Sequence, residues 1–152
     1  MFLISSFIAG CSNEKHQEKK QRQTSIQFDF SIELSKAHSC LDSAIIDDFF
    51  SPPVASRIYM YPFLAANECF KLANDKSGYL LDSVNSTAIK SEVKPSVSSI
   101  FAFYKVSKEL VYSNTYLKSG EQEFEENLLQ SGYNQNLIDQ SKVYAETIAQ
   151  QI

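Results

Sequence analysis

Apolar side chains recur at intervals of three or four residues along several stretches of this chain. In the first stretch, over residues 31–49, they are Leu34, Ala37, Leu41, Ala44, Ile45 and Phe49. This spacing is typical of one face of an α-helix and differs from the two-residue repeat of a half-buried strand. Four glycines and four prolines are also few for a β fold. The sequence therefore predicts an all-α fold of about five helices in an incomplete bundle.

Prolines and capping residues predict where the first two helices end and begin. Phe50 precedes Ser51-Pro52-Pro53, and a residue before proline is driven out of the helical region, so the first helix must stop there. Ser51 is expected to cap a second helix that starts at Pro52, continues to residue 72 or 73 and is kinked by Pro62. Its expected buried side carries Val54, Ile58, Tyr61, Ala65 and Leu72.

Three further helices are predicted after a long polar loop over residues 74–96. The third follows Pro95-Ser96 and buries Val97, Ile100, Phe101, Tyr104, Leu110 and Val111. Ser119-Gly120-Glu121-Gln122 has the pattern of a capping box that opens a short fourth helix, which Gly132 ends. The fifth helix covers residues 136–152 and presents Ile138, Ser141, Ala145, Ile148 and Ile152. Together, residues 31–152 form the predicted helical domain.

The first 30 residues differ from this domain in composition. Residues 1–10 are apolar and end in Ile8-Ala9-Gly10-Cys11, which looks like the cleavage box of a bacterial lipoprotein signal peptide. Such a run is too short to span a bilayer. The resemblance implies that Cys11 carries a lipid that anchors the mature chain to a membrane of the bacterial cell envelope. By the same resemblance, Ser12 after the cysteine implies the outer membrane. The alternative is an ordinary apolar terminus with a chance cysteine.

Residues 11–30 are predicted to be a disordered polar tether followed by a short extended lead-in. Almost no apolar side chain occurs between residues 12 and 24, so this segment cannot bury enough surface to offset its ordering entropy. The net charge of the whole chain is −4, and no segment combines arginines with aromatic residues. This pattern argues against a nucleic-acid partner.

Few residues suggest chemistry by themselves. His38, Cys40 and Cys69 lack the spacings of zinc ligands, so no metal site is predicted. A Cys40–Cys69 disulfide and two free, buried thiols both remain compatible with the sequence. Asp42, Asp47 and Asp48 could form an acid–base cluster, although a solvated helix face is the simpler interpretation.

Arg57 is the only arginine in the predicted helical domain. It is expected either to form a salt bridge with Asp47, Asp48 or Glu68, or to contact an anion in a larger assembly. The tyrosines at helical spacing are expected to serve in the core and in interfaces. These are Tyr59, Tyr61, Tyr104 and Tyr144.

The segment around Ser51-Pro52-Pro53 resembles a known family. The run from Asp48 to Tyr61, continued by Ala65-Ala66 and Glu68, is similar to the start of bacterial lipoproteins of the vanadium-dependent haloperoxidase and type 2 phosphatidic acid phosphatase superfamily. Residues 105–113 and 140–145 are similar to later helices of the same N-terminal region. Pro62 and Asn67 depart from the family pattern. The resemblance implies the N-terminal helical part of a phosphatase-like or haloperoxidase-like lipoprotein.

The catalytic motifs that the resemblance implies lie after this region, and they hold phosphate or vanadate with the help of histidines. In this chain Ser-Gly is followed by tyrosine or glutamate and never by histidine, at Ser77-Gly78, Ser119-Gly120 and Ser131-Gly132. No catalytic residue is therefore assigned, and no cofactor is expected in this chain. We expect a fragment that is inactive alone and whose partner is a missing C-terminal catalytic region.

Two other interpretations of function remain open at this point. The chain could be a complete lipid-anchored helical module that binds a partner protein in the cell envelope. Alternatively, the chain itself could hydrolyse phosphate esters, but no nucleophile with a neighbouring base is visible in the sequence. Whether the chain is an enzyme is left undecided by its residues.

Overall fold

The computed structural model describes residues 28–73 and 93–152. These residues form five α-helices and no strand, which confirms the all-α prediction. The helices are α1 (Phe30–Asp47), α2 (Pro52–Ala73), α3 (Pro95–Leu110), α4 (Thr115–Gln130) and α5 (Gln135–Gln151). The predicted signal peptide, Cys11, the polar tether and residues 74–92 of the predicted loop lie outside the described residues.

Helix α1 begins at a side-chain cap and ends two residues earlier than predicted. The carboxylate of Asp29 accepts hydrogen bonds from the backbone N–H groups of Ser31 and Ile32. After Asp47 the chain leaves the helix, and Phe49 adopts a positive φ of 55°. Phe49 is 91% exposed, so its predicted place in the core is wrong. Helical spacing no longer sets the direction of a side chain once the helix has ended.

Helix α2 begins at Pro52 as predicted, and it continues through Pro62, which is buried. The Ser51 carbonyl accepts the backbone N–H groups of Val54 and Ala55. Val54 is 42% exposed and Tyr61 is 37% exposed, so their predicted burial is wrong. Periodicity identifies the residues that share a helix face, but it does not determine how much of that face a neighbour covers.

Helix α3 is the centre of the bundle. It packs against each of the other four helices, most extensively against α2 and α5. Every side chain from Val97 to Tyr104 is buried, which is the pattern of a helix enclosed on all sides. The hydroxyls of Ser98 and Ser99 donate to the carbonyls of Lys94 and Pro95, so these two polar side chains are satisfied inside the core.

Helix α4 starts at Thr115, so the predicted capping box at residues 119–122 lies inside the helix and is wrong as a helix start. Gly120 has a packing role instead. A Cβ atom at this position would lie 2.6 Å from Cys40 Sγ and 2.9 Å from Tyr104 Oη. The absence of a side chain therefore lets α4 approach α1 and α3 closely.

The end of α4 and the start of α5 follow the predicted turn chemistry. Gly132 has a φ of 88°, and the N–H of Tyr133 donates to the carbonyl of Leu128, as in a Schellman motif. The side chain of Asn134 then caps α5 by accepting the N–H of Leu137. The predicted inward residues Ile138, Ser141, Ala145 and Ile148 are buried.

We expect Gly120→Ala to destabilise the protein. The added methyl group would displace the Cys40 thiol and the Tyr104 hydroxyl, and overpacking of this kind typically costs about 1–3 kcal/mol, which exceeds the gain of up to about 1 kcal/mol in helix propensity. Urea denaturation measures the change. Cys40→Ala in the Gly120→Ala background removes one clashing atom and should recover part of the loss; no recovery would contradict this origin.

Candidate functional site

Arg57, the predicted anion or salt-bridge contact, is exposed near the start of α2. Within residues 28–73 and 93–152, it forms no ion pair within 4.0 Å. Two of its expected partners are engaged elsewhere, since Asp48 accepts backbone N–H groups and Glu68 lies 3.6 Å from the Lys71 ammonium. Its assignment as an anion contact stays a prediction.

The three aspartates at the end of α1 do not form one acid–base cluster, because each is engaged by a different part of the chain. Asp42 accepts a hydrogen bond of 2.7 Å from the Tyr59 hydroxyl. Asp47 accepts one from the Tyr116 hydroxyl, and this bond raises the pKa of that tyrosine. These carboxylates therefore connect helices and loops to one another.

Asp48 holds the turn between α3 and α4. Its carboxylate accepts the backbone N–H of Tyr112 at 2.6 Å and that of Ser113 at 2.9 Å. Burial alone would raise the pKa of this carboxyl, but hydrogen bonds from Ser113 and Tyr112 outweigh it, so the pKa is lowered. The contact stabilises the ionised form of Asp48.

The candidate metal residues His38, Cys40 and Cys69 are not brought together. The His38 ring packs 5.5 Å from the rings of both Tyr59 and Phe63. The side chain of Cys40 is hydrogen-bonded to Tyr104 and that of Cys69 to Ser99.

Cys40 and Cys69 are free thiols, which decides between the two alternatives that the sequence left open. Burial raises the pKa of the Cys69 thiol well above its usual range, as expected of an inert core cysteine. In the part of the chain that the structure describes, no group of three His, Cys, Asp or Glu side chains could hold a metal ion.

A charged cleft of about 200 Å³ lies between α3, α4 and α5. It contains three lysines, and each is paired with its own glutamate. Lys105 lies 2.9 Å from Glu146, Lys142 lies 2.5 Å from Glu125, and Lys108 contacts Glu121. Phe101 lines the cleft, and the Lys142 ammonium lies 5.3 Å from the centre of its ring.

Sequence reasoning missed this cleft. Lys105 and Lys108 lie three residues apart on α3, whereas Lys142 lies on α5, and no motif links them, although all three fall in the two later segments that carry the family resemblance. Each lysine is paired with a glutamate on another helix, so these ion pairs connect α3, α4 and α5. Little positive charge therefore remains in the cleft to bind an anion.

A larger, mostly apolar groove of about 500 Å³ lies between α2, α3 and α5. Lys105 and Glu109 add charge to it. Its other lining residues are Tyr61, Val106, Leu110, Ala149, Gln150 and Ile152. The groove has the composition of a surface that receives an apolar segment. No sequence motif marks it, since it is formed by residues of three helices that meet only in the fold.

Known proteins give one informative comparison. No family model matches this sequence, and no curated protein matches it. A search of solved structures finds the crystal structure of a bacterial vanadium-dependent iodoperoxidase, with 30% sequence identity over 78% of this chain and a TM-score of 0.66. The chain has a haloperoxidase-like fold. It spans 30% of the length of the iodoperoxidase.

The residues that the structure describes, 28–73 and 93–152, do not fit a vanadate site. A vanadate site would need an oxyanion cradle of unpaired positive charges with a histidine beside it. The lysines of the charged cleft are matched by glutamates. His38 contacts residues of α2, whereas the cleft is formed by α3, α4 and α5. No chemical step is therefore derived through vanadate.

None of the helices in the two described segments is both long and apolar enough to cross a membrane.

We expect Asp48→Ala to destabilise the protein in a pH-dependent way. Because the folded pKa of Asp48 is lowered, its contribution is present above the unfolded pKa of about 3.9 and is lost as the pH falls through the folded pKa. Loss of an exposed carboxylate contact should cost about 1 kcal/mol at pH 7.

Urea denaturation at several pH values measures this effect, and the two proteins should converge in stability as the pH falls through the folded pKa of Asp48. Asp139→Ala is the matched control, since it removes an exposed carboxylate that accepts only a local hydrogen bond from Gln135. A pH-independent loss in Asp48→Ala would contradict the electrostatic origin.

Proposed function

We propose that this chain is the N-terminal helical region of a haloperoxidase-like or type 2 phosphatidic acid phosphatase-like lipoprotein. The observation that carries the proposal is the structural match to the iodoperoxidase, at 30% identity and a TM-score of 0.66, over only 30% of that protein. The Ser51-Pro52-Pro53 segment supports the same assignment by its resemblance to the start of such lipoproteins.

In this proposal the chain provides a scaffold and does not catalyse a reaction alone. The sequence has no Ser-Gly-His motif, and the lysines of the charged cleft are paired with glutamates. The apolar groove beside Tyr61 and Ile152 would receive part of the catalytic region, because exposed apolar surface of this kind is typical of an interface.

The lipid on Cys11 would hold the protein at the bacterial outer membrane. The apolar residues 1–10 and the small residues Ala9-Gly10 before the cysteine support this part of the proposal. Each buried CH₂ group of an acyl chain contributes about 0.8 kcal/mol to membrane binding. The alternative, a complete lipid-anchored module that binds an envelope protein, shares the anchor but needs no catalytic region.

The gene and the purified protein test the scaffold proposal together. DNA downstream of the codon for Ile152 is expected to encode a Ser-Gly-His stretch in one of its frames. The purified chain should show background rates with a chromogenic phosphate ester, and with iodide, peroxide and vanadate, because it lacks a nucleophile with its base. An intact vanadium haloperoxidase serves as the positive control. Downstream DNA without the motif would favour the partner-binding module, and turnover by this chain would refute both.

Cys11→Ser is expected to move the protein from the membrane fraction to the soluble fraction when the full chain is expressed in a bacterium. A hydroxyl cannot form the thioether that carries the lipid, so the anchor is lost. Immunoblotting of separated fractions and the mass of the mature N-terminus measure the change. Cys40→Ser is the matched control and should stay with the membrane; equal fractionation of both variants with the parent would contradict lipidation at Cys11.

A further inference from the structure

Five large apolar or aromatic side chains lie at one end of the bundle, where α1 and α3 end and α2 and α4 begin. We call this set the aromatic tip. It consists of Ile46, Phe49, Phe50, Tyr112 and Tyr116. The exposed fraction is 91% for Phe49, 86% for Tyr112 and 69% for Ile46. Single exposed apolar residues are ordinary, but a contiguous set usually marks an interaction surface.

A ring contact and hydrogen bonds join the residues of the tip. The rings of Phe50 and Tyr112 stack with their centres 5.8 Å apart. The Asp48 carboxylate binds the backbone of Tyr112 and Ser113, and Asp47 accepts the hydroxyl of Tyr116. Two loops that are more than 60 residues apart in sequence are thereby joined.

Phe49 adopts a backbone conformation that is unfavourable for a bulky residue. A bulky residue with a positive φ is a genuine outlier, and such strain persists only where the surroundings enforce it. Here its φ is 55°, yet the side chain gains almost no burial in return. This conformation ends α1, because Phe49 directly follows the C-cap residue Asp48, and it leaves the ring exposed to solvent.

We propose that the aromatic tip inserts into the headgroup region of the bilayer to which Cys11 is anchored. The inference rests on the lipid anchor of the proposed function. Tyrosine and phenylalanine suit this environment, because their rings are apolar and the tyrosine hydroxyl stays hydrated. The tip carboxylates are already engaged by Tyr112, Ser113 and Tyr116, so they oppose insertion less than free carboxylates would.

The length of chain before the described residues allows the anchor and the tip to reach the same membrane. Phe28 packs on Phe124 and Tyr133, at the opposite end of α1 from the tip. Helix α1 has 18 residues and is therefore about 27 Å long. Seventeen residue steps separate Cys11 from Phe28 (28 − 11 = 17), which can span up to about 60 Å. A lipid anchor on Cys11 keeps the protein at the membrane and so raises the effective concentration of lipid near the tip. A weak contact between the tip and the bilayer is then sufficient for insertion.

Tryptophan fluorescence tests the inference directly, because the chain contains no tryptophan. Phe49→Trp and Tyr112→Trp place a single reporter in the tip, and Val143→Trp places one at a 67% exposed position on α5 as the matched control. The mature chain, residues 11–152 with Cys11→Ser and an oligohistidine before residue 11, is bound to vesicles of phosphatidylethanolamine, phosphatidylcholine and a nickel-chelating lipid. This attachment does not depend on lipidation of Cys11.

Both tip reporters should shift to shorter emission wavelengths on vesicles and lose about half of their intensity when the acyl chains are brominated, as expected for residues in the interface. The Val143→Trp emission should not change. Unchanged emission of both tip reporters would overturn the inference, and so would equal quenching of all three. A blue-shifted tip reporter before vesicles are added would show that protein, either a second copy or another segment of this chain, covers the tip instead.

This experiment and the fractionation of Cys11→Ser can fail independently. If the vesicle-bound tip is quenched but Cys11→Ser fractionates like the parent, the tip contacts lipid and the proposed anchor is wrong. If the tip reporters stay in water while Cys11→Ser becomes soluble, the anchor is correct and the tip proposal is wrong.

Discussion

The burial of α3 on all sides is the constraint on which the rest of the structure depends. Eight consecutive side chains, from Val97 to Tyr104, are buried. The four other helices must therefore cover α3 with apolar side chains on every side. The free energy gained by burying this apolar surface is large, since each fully buried Phe or Ile side chain contributes about 1.5–3 kcal/mol relative to an exposed one. Small residues on α3 allow close neighbours, and the hydroxyls of Ser98 and Ser99 bond within the helix. Among the described residues, the buried Ser107 hydroxyl has no hydrogen-bond partner.

Gly120 shows how this constraint extends to the outer helices. Helix α4 approaches α1 and α3 so closely that a single methyl group would meet Cys40 and Tyr104. Paired charges surround this contact: Lys36 of α1 lies 3.6 Å from Glu123 of α4, and Lys108 of α3 contacts Glu121 of α4. Surface pairs of this kind contribute little free energy each. They define which helix faces meet, while the buried apolar area supplies the stability.

The surfaces that stay exposed after the helices have packed are the ones that suggest function. Helix α2 leaves Val54 and Tyr61 exposed, and the groove next to Tyr61 is open to an apolar segment. The aromatic tip lies at the end of the bundle, away from the residues that contact Phe28. A haloperoxidase-like fold that spans 30% of its structural neighbour thus leaves two exposed apolar surfaces, the groove and the aromatic tip.

The sequence alone determined the helix class, most helix boundaries and the family resemblance, because proline and glycine act locally and apolar spacing reports one helix at a time. It did not predict that Phe49 is exposed or that residues 119–122 lie inside α4. It also missed the Lys–Glu pairs of the charged cleft and the apolar groove. These features depend on which helix faces meet, and residues from α3, α4 and α5 become neighbours only when α3 is enclosed. The tertiary structure therefore decided which surfaces are exposed, since the burial of each helix face depends on all of the helices that pack against it.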